Sequence, residues 1–167
     1  MKKIVLLLVM ALNLFAYDDY IGVGLGYSQF DVSPAKSDGM SATLDFGHKY
    51  GDYGRIHVNG TYVYNKSSIT EGSFSGAYDF VIPVVDDVVE LYVGPLVGYT
   101  SYASSDLTAS GAHYGAEAGV LFELSQNIEL ELGYNFLSLD STPGGNSQRG
   151  YFQVNFFFDK SKYFKYE

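Results

Sequence analysis

Residues 128–136 read Ile-Glu-Leu-Glu-Leu-Gly-Tyr-Asn-Phe, an apolar side chain at every second position with an acid, a glycine or an amide between. A period of two sends successive side chains to opposite faces of a strand. The pattern extends in both directions. Downstream, 150–158 sets Phe152, Val154, Phe156 and Phe158 against Tyr151, Gln153 and Asn155. Upstream, 112–124 sets Tyr114, Ala116, Ala118, Val120, Phe122 and Leu124 against Gly115, Glu117, Gly119 and Glu123. Segment 89–99 opposes Leu91, Val93, Val97 and Tyr99 to Glu90, Gly94 and Gly98. Four earlier segments repeat it at 20–30, 40–50, 55–64 and 73–82, which makes eight strands of the ten-residue order expected of a membrane barrel.

The connectors alternate in character. Polar loops are expected at 31–39, 65–72, 101–110 and 140–148, and tighter turns at 51–54, 83–87 and 125–127. Long connectors at one end and short turns at the other are the pattern of an outer-membrane barrel, with the short side and both termini periplasmic. A soluble eight-stranded barrel keeps its apolar face inside around a ligand. Here the other face carries glycines and charges, which cannot line a dry cavity but suit a narrow polar lumen. Tyr27, Tyr50, Tyr64, Tyr99, Phe136, Phe152 and Phe158 are expected near strand ends, as interfacial girdles.

The first sixteen residues, MKKIVLLLVMALNLFA, have two lysines, a short apolar run and a small residue at the end. They read as a secretory signal peptide cleaved after Ala16, the run being too short to span a bilayer. The expected organisation is a signal peptide at 1–16, one barrel domain at 17–158 and a short periplasmic tail at 159–167. The chain has ten Lys or Arg, two of them in the leader, against 19 Asp or Glu, and no cysteine. That balance excludes the basic footprint of a nucleic-acid binder, and the absence of thiols excludes disulfides and thiolate metal sites. After residue 16 no apolar run is long enough for a membrane helix.

The stretches Tyr92-Val93-Gly94-Pro95-Leu96-Val97-Gly98-Tyr99, 114–120 and 130–136 resemble the small outer membrane β-barrel family that includes the OmpA-like and OmpX-like proteins. The resemblance covers nearly all of the chain after the leader. It implies an eight-stranded antiparallel up-and-down transmembrane β-barrel in the outer membrane of a Gram-negative cell. It also implies lipopolysaccharide and other outer membrane lipids as surroundings, and the barrel-insertion machinery as a partner during biogenesis. Family members usually end on an aromatic residue read by that machinery. Phe158 matches it, although nine residues follow.

The inward face is expected to carry Asp45, Asp79, Glu90, Glu117, Glu123, Glu129 and Glu131 against Lys49, Arg55 and Arg149, with His57 able to join them. Strands four apart face each other in an eight-stranded barrel. Lys49, Arg55 and His57, around the second-to-third strand turn, should therefore meet Glu123, Glu129 and Glu131 on the sixth and seventh strands. A charge network closing the turn end of the lumen follows, either as a plug or as a gate.

Catalysis finds little support in the sequence. Acyl transfer or ester hydrolysis needs a nucleophile, a base and an orienting group within hydrogen-bond reach. None of His48, His57 and His113 has a serine two positions away on its own face of a strand. His48 falls on the apolar face, and His113 is expected at the loop end near Ser104, Ser105 or Ser110. Gly22-Val23-Gly24-Leu25-Gly26 lacks the spacing and the following helix of a phosphate-binding run. Loop acids at Asp31, Asp38, Glu71, Asp106 and Asp140 are read as solvated charge, with surface calcium as the alternative. No catalytic residue, cofactor or metal ligand set is assigned. The expected role is that of a monomeric structural or surface-interaction barrel whose outer loops hold any extracellular ligand. A narrow porin-like channel is the alternative, and a lipid-modifying enzyme a third.

Overall fold

A computed structural model describes residues 18–32, 35–64, 70–85, 88–103, 108–140 and 145–158. The leader at 1–16 and the tail at 159–167 lie outside the described residues. The strands are β1 (Asp19–Val32), β2 (Ala35–Tyr50), β3 (Gly54–Tyr64), β4 (Thr70–Val85), β5 (Val89–Ala103), β6 (Thr108–Ser125), β7 (Ile128–Asp140) and β8 (Gly145–Phe157). Each pairs antiparallel with its sequence neighbours, and β8 pairs with β1 from Tyr20↔Phe157 to Val32↔Gly145, closing the barrel.

The strands run further than the alternation does. The connector expected at 31–39 is mostly ladder, since β1 and β2 pair out to Val32↔Ala35. Strand likewise replaces expected loop at 70–72, 101–103, 108–110 and 145–148. Residues 33–34, 65–69, 104–107 and 141–144 lie outside the described residues. Among the described residues, strand overhang at this end takes up much of what was expected as loop. Above the apolar belt the outward side chains are polar, so alternation fades while the backbone hydrogen bonds continue.

The outward face holds the apolar belt: Leu25, Val58, Val93, Val97, Leu132 and Phe152 are all exposed. At its loop-side edge three tyrosines reach up to the overhang. Tyr99 Oη donates to Ser110 Oγ at 2.8 Å and Tyr134 Oη to Gln148 Oε1 at 2.6 Å, and Tyr27 Oη donates to Asp38. Rings in the apolar layer with hydroxyls in the wet one mark a membrane interface. Phe152 does not join a girdle. It lies mid-strand between Leu25 and Leu132, because β8 begins five residues earlier than the alternation indicates.

The inner face is less polar than the sequence suggests. Ala77, Leu96 and Leu137 form one inward cluster, and Val81, Tyr92 and Leu121 another. These pave the β4 to β7 wall, as a lumen too narrow to hold bulk water requires. Pro95, on the outward face of β5, interrupts the β4–β5 ladder, which resumes on either side at Ala77↔Leu96 and Phe80↔Val93. Proline has no N–H to donate there.

Candidate functional site in the barrel lumen

The short β2–β3 turn, with Gly51 in the left-handed region at φ 60°, sets Lys49 and Arg55 opposite each other in register. Both point inward. Lys49 Nζ donates to Glu90 Oε2 at 2.6 Å and to Glu129 Oε2 at 2.5 Å. Arg55, fully buried, spans the lumen: Nη1 and Nη2 donate to Glu131 Oε2 and Oε1 at 2.7 and 3.0 Å, and Nε to Asp79 Oδ2 at 2.8 Å. Such two-pronged pairing suits the planar guanidinium. Its face lies 4.5 Å from the centre of the Tyr92 ring, a cation–π contact.

His57, one inward step further along β3, has carboxylates at both ring nitrogens. Asp45 Oδ2 lies 3.1 Å from Nδ1, while Glu117 Oε1 and Asp79 Oδ2 lie 2.8 and 3.3 Å from Nε2. β8 supplies the neutral groups that stitch these charges together. Asn155 Nδ2 donates to Glu129 Oε1 and Glu131 Oε2, both at 3.1 Å, and Gln153 Nε2 to Asp45 Oδ2 at 3.0 Å. Tyr151 Oη donates to Glu131 Oε1 at 3.1 Å. Glycine makes room for the rings: a Cβ on Gly133 would collide with the hydroxyls of Tyr92 and Tyr151, and one on Gly47 with the Tyr20 ring.

Of the eleven residues expected on the inward face, nine come together: Asp45, Lys49, Arg55, His57, Asp79, Glu90, Glu117, Glu129 and Glu131. Glu123 lies further toward the turn end. It sits half-exposed at the rim, in register with Glu129 beside the irregularity that ends the β6–β7 ladder. Arg149 bonds to Thr61 and lies over the Tyr151 ring. Tyr20 and Tyr92 carry no charge to draw notice. For Tyr92 the signal was present, since it alternates with the outward Leu91 and Val93.

The loop half of the lumen holds a second polar group. His113 is buried, with Ser75 Oγ 2.9 Å from Nε2 and Thr100 Oγ1 2.7 Å from Nδ1. Ser110 does not stand beside it, being exposed and bonded to Tyr99, and Ser104 and Ser105 lie outside the described residues. The inward placement of His113 follows from β6 starting at Thr108. Glu71, expected in a loop, points inward from β4 and is buried. Above these, Phe30 of β1 and Tyr102 of β5 meet from opposite walls, ring centres 5.1 Å apart, with Leu139 packed against them.

The barrel with this packed interior superposes on solved structures. Neisserial surface protein A matches at a TM-score of 0.74 and 17% identity, covering 84% of this chain and 97% of that one. Outer membrane protein H of P. aeruginosa matches at 0.61 and 22%, covering 84% and 99%. The fold is that of small outer membrane β-barrels. The outer membrane enzyme PagL shares it at 0.51 and 12%, covering 82% and 98%, so the fold by itself does not separate enzymes from other barrels. No family model matches the sequence, and no curated protein is similar to it in sequence.

Proposed function

We propose that this chain is an outer membrane protein with a structural or surface-interaction role, its lumen closed and its termini periplasmic. The observation that carries this reading is closure at two levels. Phe30, Tyr102 and Leu139 pack across the loop end, and the Arg55 and Lys49 ion pairs cross the turn end. A channel needs a continuous polar path, and these two layers leave the interior filled with side chains. Contacts with partners then fall to the overhanging strands. There Tyr27, Gln29, Asp31, Asp38, Asn146 and Gln148 line a cleft of about 540 Å³ on the β8–β1–β2 surface. Lipopolysaccharide around the wall and an extracellular ligand at this cleft are the partners proposed, with the insertion machinery engaged only during biogenesis.

Catalysis is disfavoured on a specific ground. In the Ser75–His113 pair the imidazole nitrogen that a hydrolase gives to a carboxylate is held by the Thr100 hydroxyl, and the pair is buried beneath the apolar lid. Membrane fractionation, planar bilayer recording and liposome swelling test the proposal together. Expected are an outer membrane location with a heat-dependent shift in gel mobility, no conductance and no swelling. A soluble, unshifted protein overturns the membrane assignment, steady conductance the closed lumen, and altered lipid A mass on gene deletion the non-enzymatic role.

A further inference from the structure

The charges in the lower lumen do not balance. Six carboxylates, Asp45, Asp79, Glu90, Glu117, Glu129 and Glu131, converge with Lys49, Arg55 and His57. With His57 protonated and Arg149, above the Tyr151 ring, counted in, two negative charges remain. All but Glu90 are buried, and an uncompensated buried charge costs several kcal/mol or about that. The pairing localises the excess. Glu131 is engaged by both prongs of Arg55, and Glu90 and Glu129 share Lys49. Asp45 and Glu117 are left to one imidazole, and Asp79, whose Oδ2 is shared between Arg55 and His57, keeps one buried oxygen, Oδ1, without a hydrogen-bond partner.

We propose that His57, Asp79 and Glu117 bind a divalent first-row transition cation of the Zn²⁺ type. Their ligand atoms lie within 4.8 Å of one another. A tetrahedral centre with bonds of about 2.0–2.1 Å separates its ligands by about 3.3–3.4 Å. The His57 Nε2 to Asp79 Oδ2 distance of 3.3 Å already matches, and because Arg55 Nε and Nη2 lie 2.8 and 2.7 Å from that oxygen, a cation there takes the place of one Arg55 bond. Glu117 Oε1, at 2.8 Å from the same nitrogen, has to withdraw by about half an ångström.

The surroundings are those such a centre needs. Asp45 stands at the other ring nitrogen, an arrangement that keeps the proton on Nδ1 and turns the Nε2 lone pair toward the cation. Gln153 holds Asp45 in turn, and Tyr151 reaches the far oxygen of Glu117 at 3.5 Å. One imidazole with two carboxylates favours a transition cation over Ca²⁺ or Mg²⁺, which take all-oxygen shells. With His57 neutral as a ligand three negative charges remain, the cation offsets two of them, and the proton that His57 held leaves to solvent.

The test uses the full chain refolded into detergent micelles with Zn²⁺ or Co²⁺ as the probe, dialysed, and analysed for bound metal by mass spectrometry. Expected are one metal per barrel and, with Co²⁺, the visible absorption of a low-symmetry site. Glu117→Gln should remove it, and Asp45→Asn should weaken it by about 10- to 100-fold. Gel mobility reports which variants have folded. Should Glu117→Gln fail to fold, the wild-type Co²⁺ spectrum and stoichiometry still decide. A metal-free wild-type barrel, meaning that the cluster holds protons instead, overturns the proposal, and so does full binding retained in folded Glu117→Gln.

Discussion

Arg55 on β3 and Glu131 on β7 are joined across the barrel axis by two parallel hydrogen bonds, and both side chains are buried. Removing the guanidinium strands Glu131 without its counter-charge and leaves Asp79 with His57 alone. Arg55→Ala should therefore destabilise the barrel by about 3–5 kcal/mol in denaturant titrations followed by gel mobility. Arg55→Lys should recover only part of this, because a point charge cannot engage both oxygens of Glu131 and Asp79 together.

The loop-end lid and the turn-end network are separate barriers. Phe30→Ala combined with Tyr102→Ala opens the first and leaves the second intact, so bilayer recordings of that variant should stay silent. Current at the wild-type Lys49 and Arg55 would show that the charged layer does not seal.

Val93 lies on the outward face of β5 in the apolar belt and is about half exposed. Arginine there meets hydrocarbon, and Val93→Arg should cost about 2–4 kcal/mol in refolding into lipid vesicles. A change within a few tenths of a kcal/mol would argue for water on that wall.

Two glycines offer a matched pair. Gly133 has no space for a side chain beneath Tyr92 and Tyr151, so Gly133→Val should cost about 1–3 kcal/mol through overpacking. A Cβ on Gly150 meets nothing within 4 Å, and Gly150→Ala should leave the unfolding midpoint nearly unchanged.

The eight strands and their two faces were legible because the belt imposes a strict period of two. The sides assigned to Leu132, Tyr134, Phe152 and Phe156 and to Glu129, Glu131, Gln153 and Asn155 agree with their exposure. Legibility failed above the belt. Gln29, Asp31 and Asp38 face outward and are polar, which removes the contrast that marks a strand, so ladder was read as loop. Glu71 and His113 were placed in or beside those loops for the same reason. Within the lumen, facing strands gave the partners Glu129 and Glu131. The His57 cluster draws on β2, β3, β4 and β6, and which of those inward side chains converge depends on strand tilt and register, not on spacing along the chain.

The closing pair, β8 with β1, bears on how this molecule is made. Laid out as an open sheet, β3 and β7 would stand about 19 Å apart, four strand spacings, beyond the reach of any arginine. Arg55 and Glu131 meet only once the ring is shut, and β8 brings Tyr151, Gln153 and Asn155 to them in the same event. A nascent barrel short of its last strand thus holds unquenched charges and has no interior. Closing the ring pairs these charges and fills the interior with the same strand.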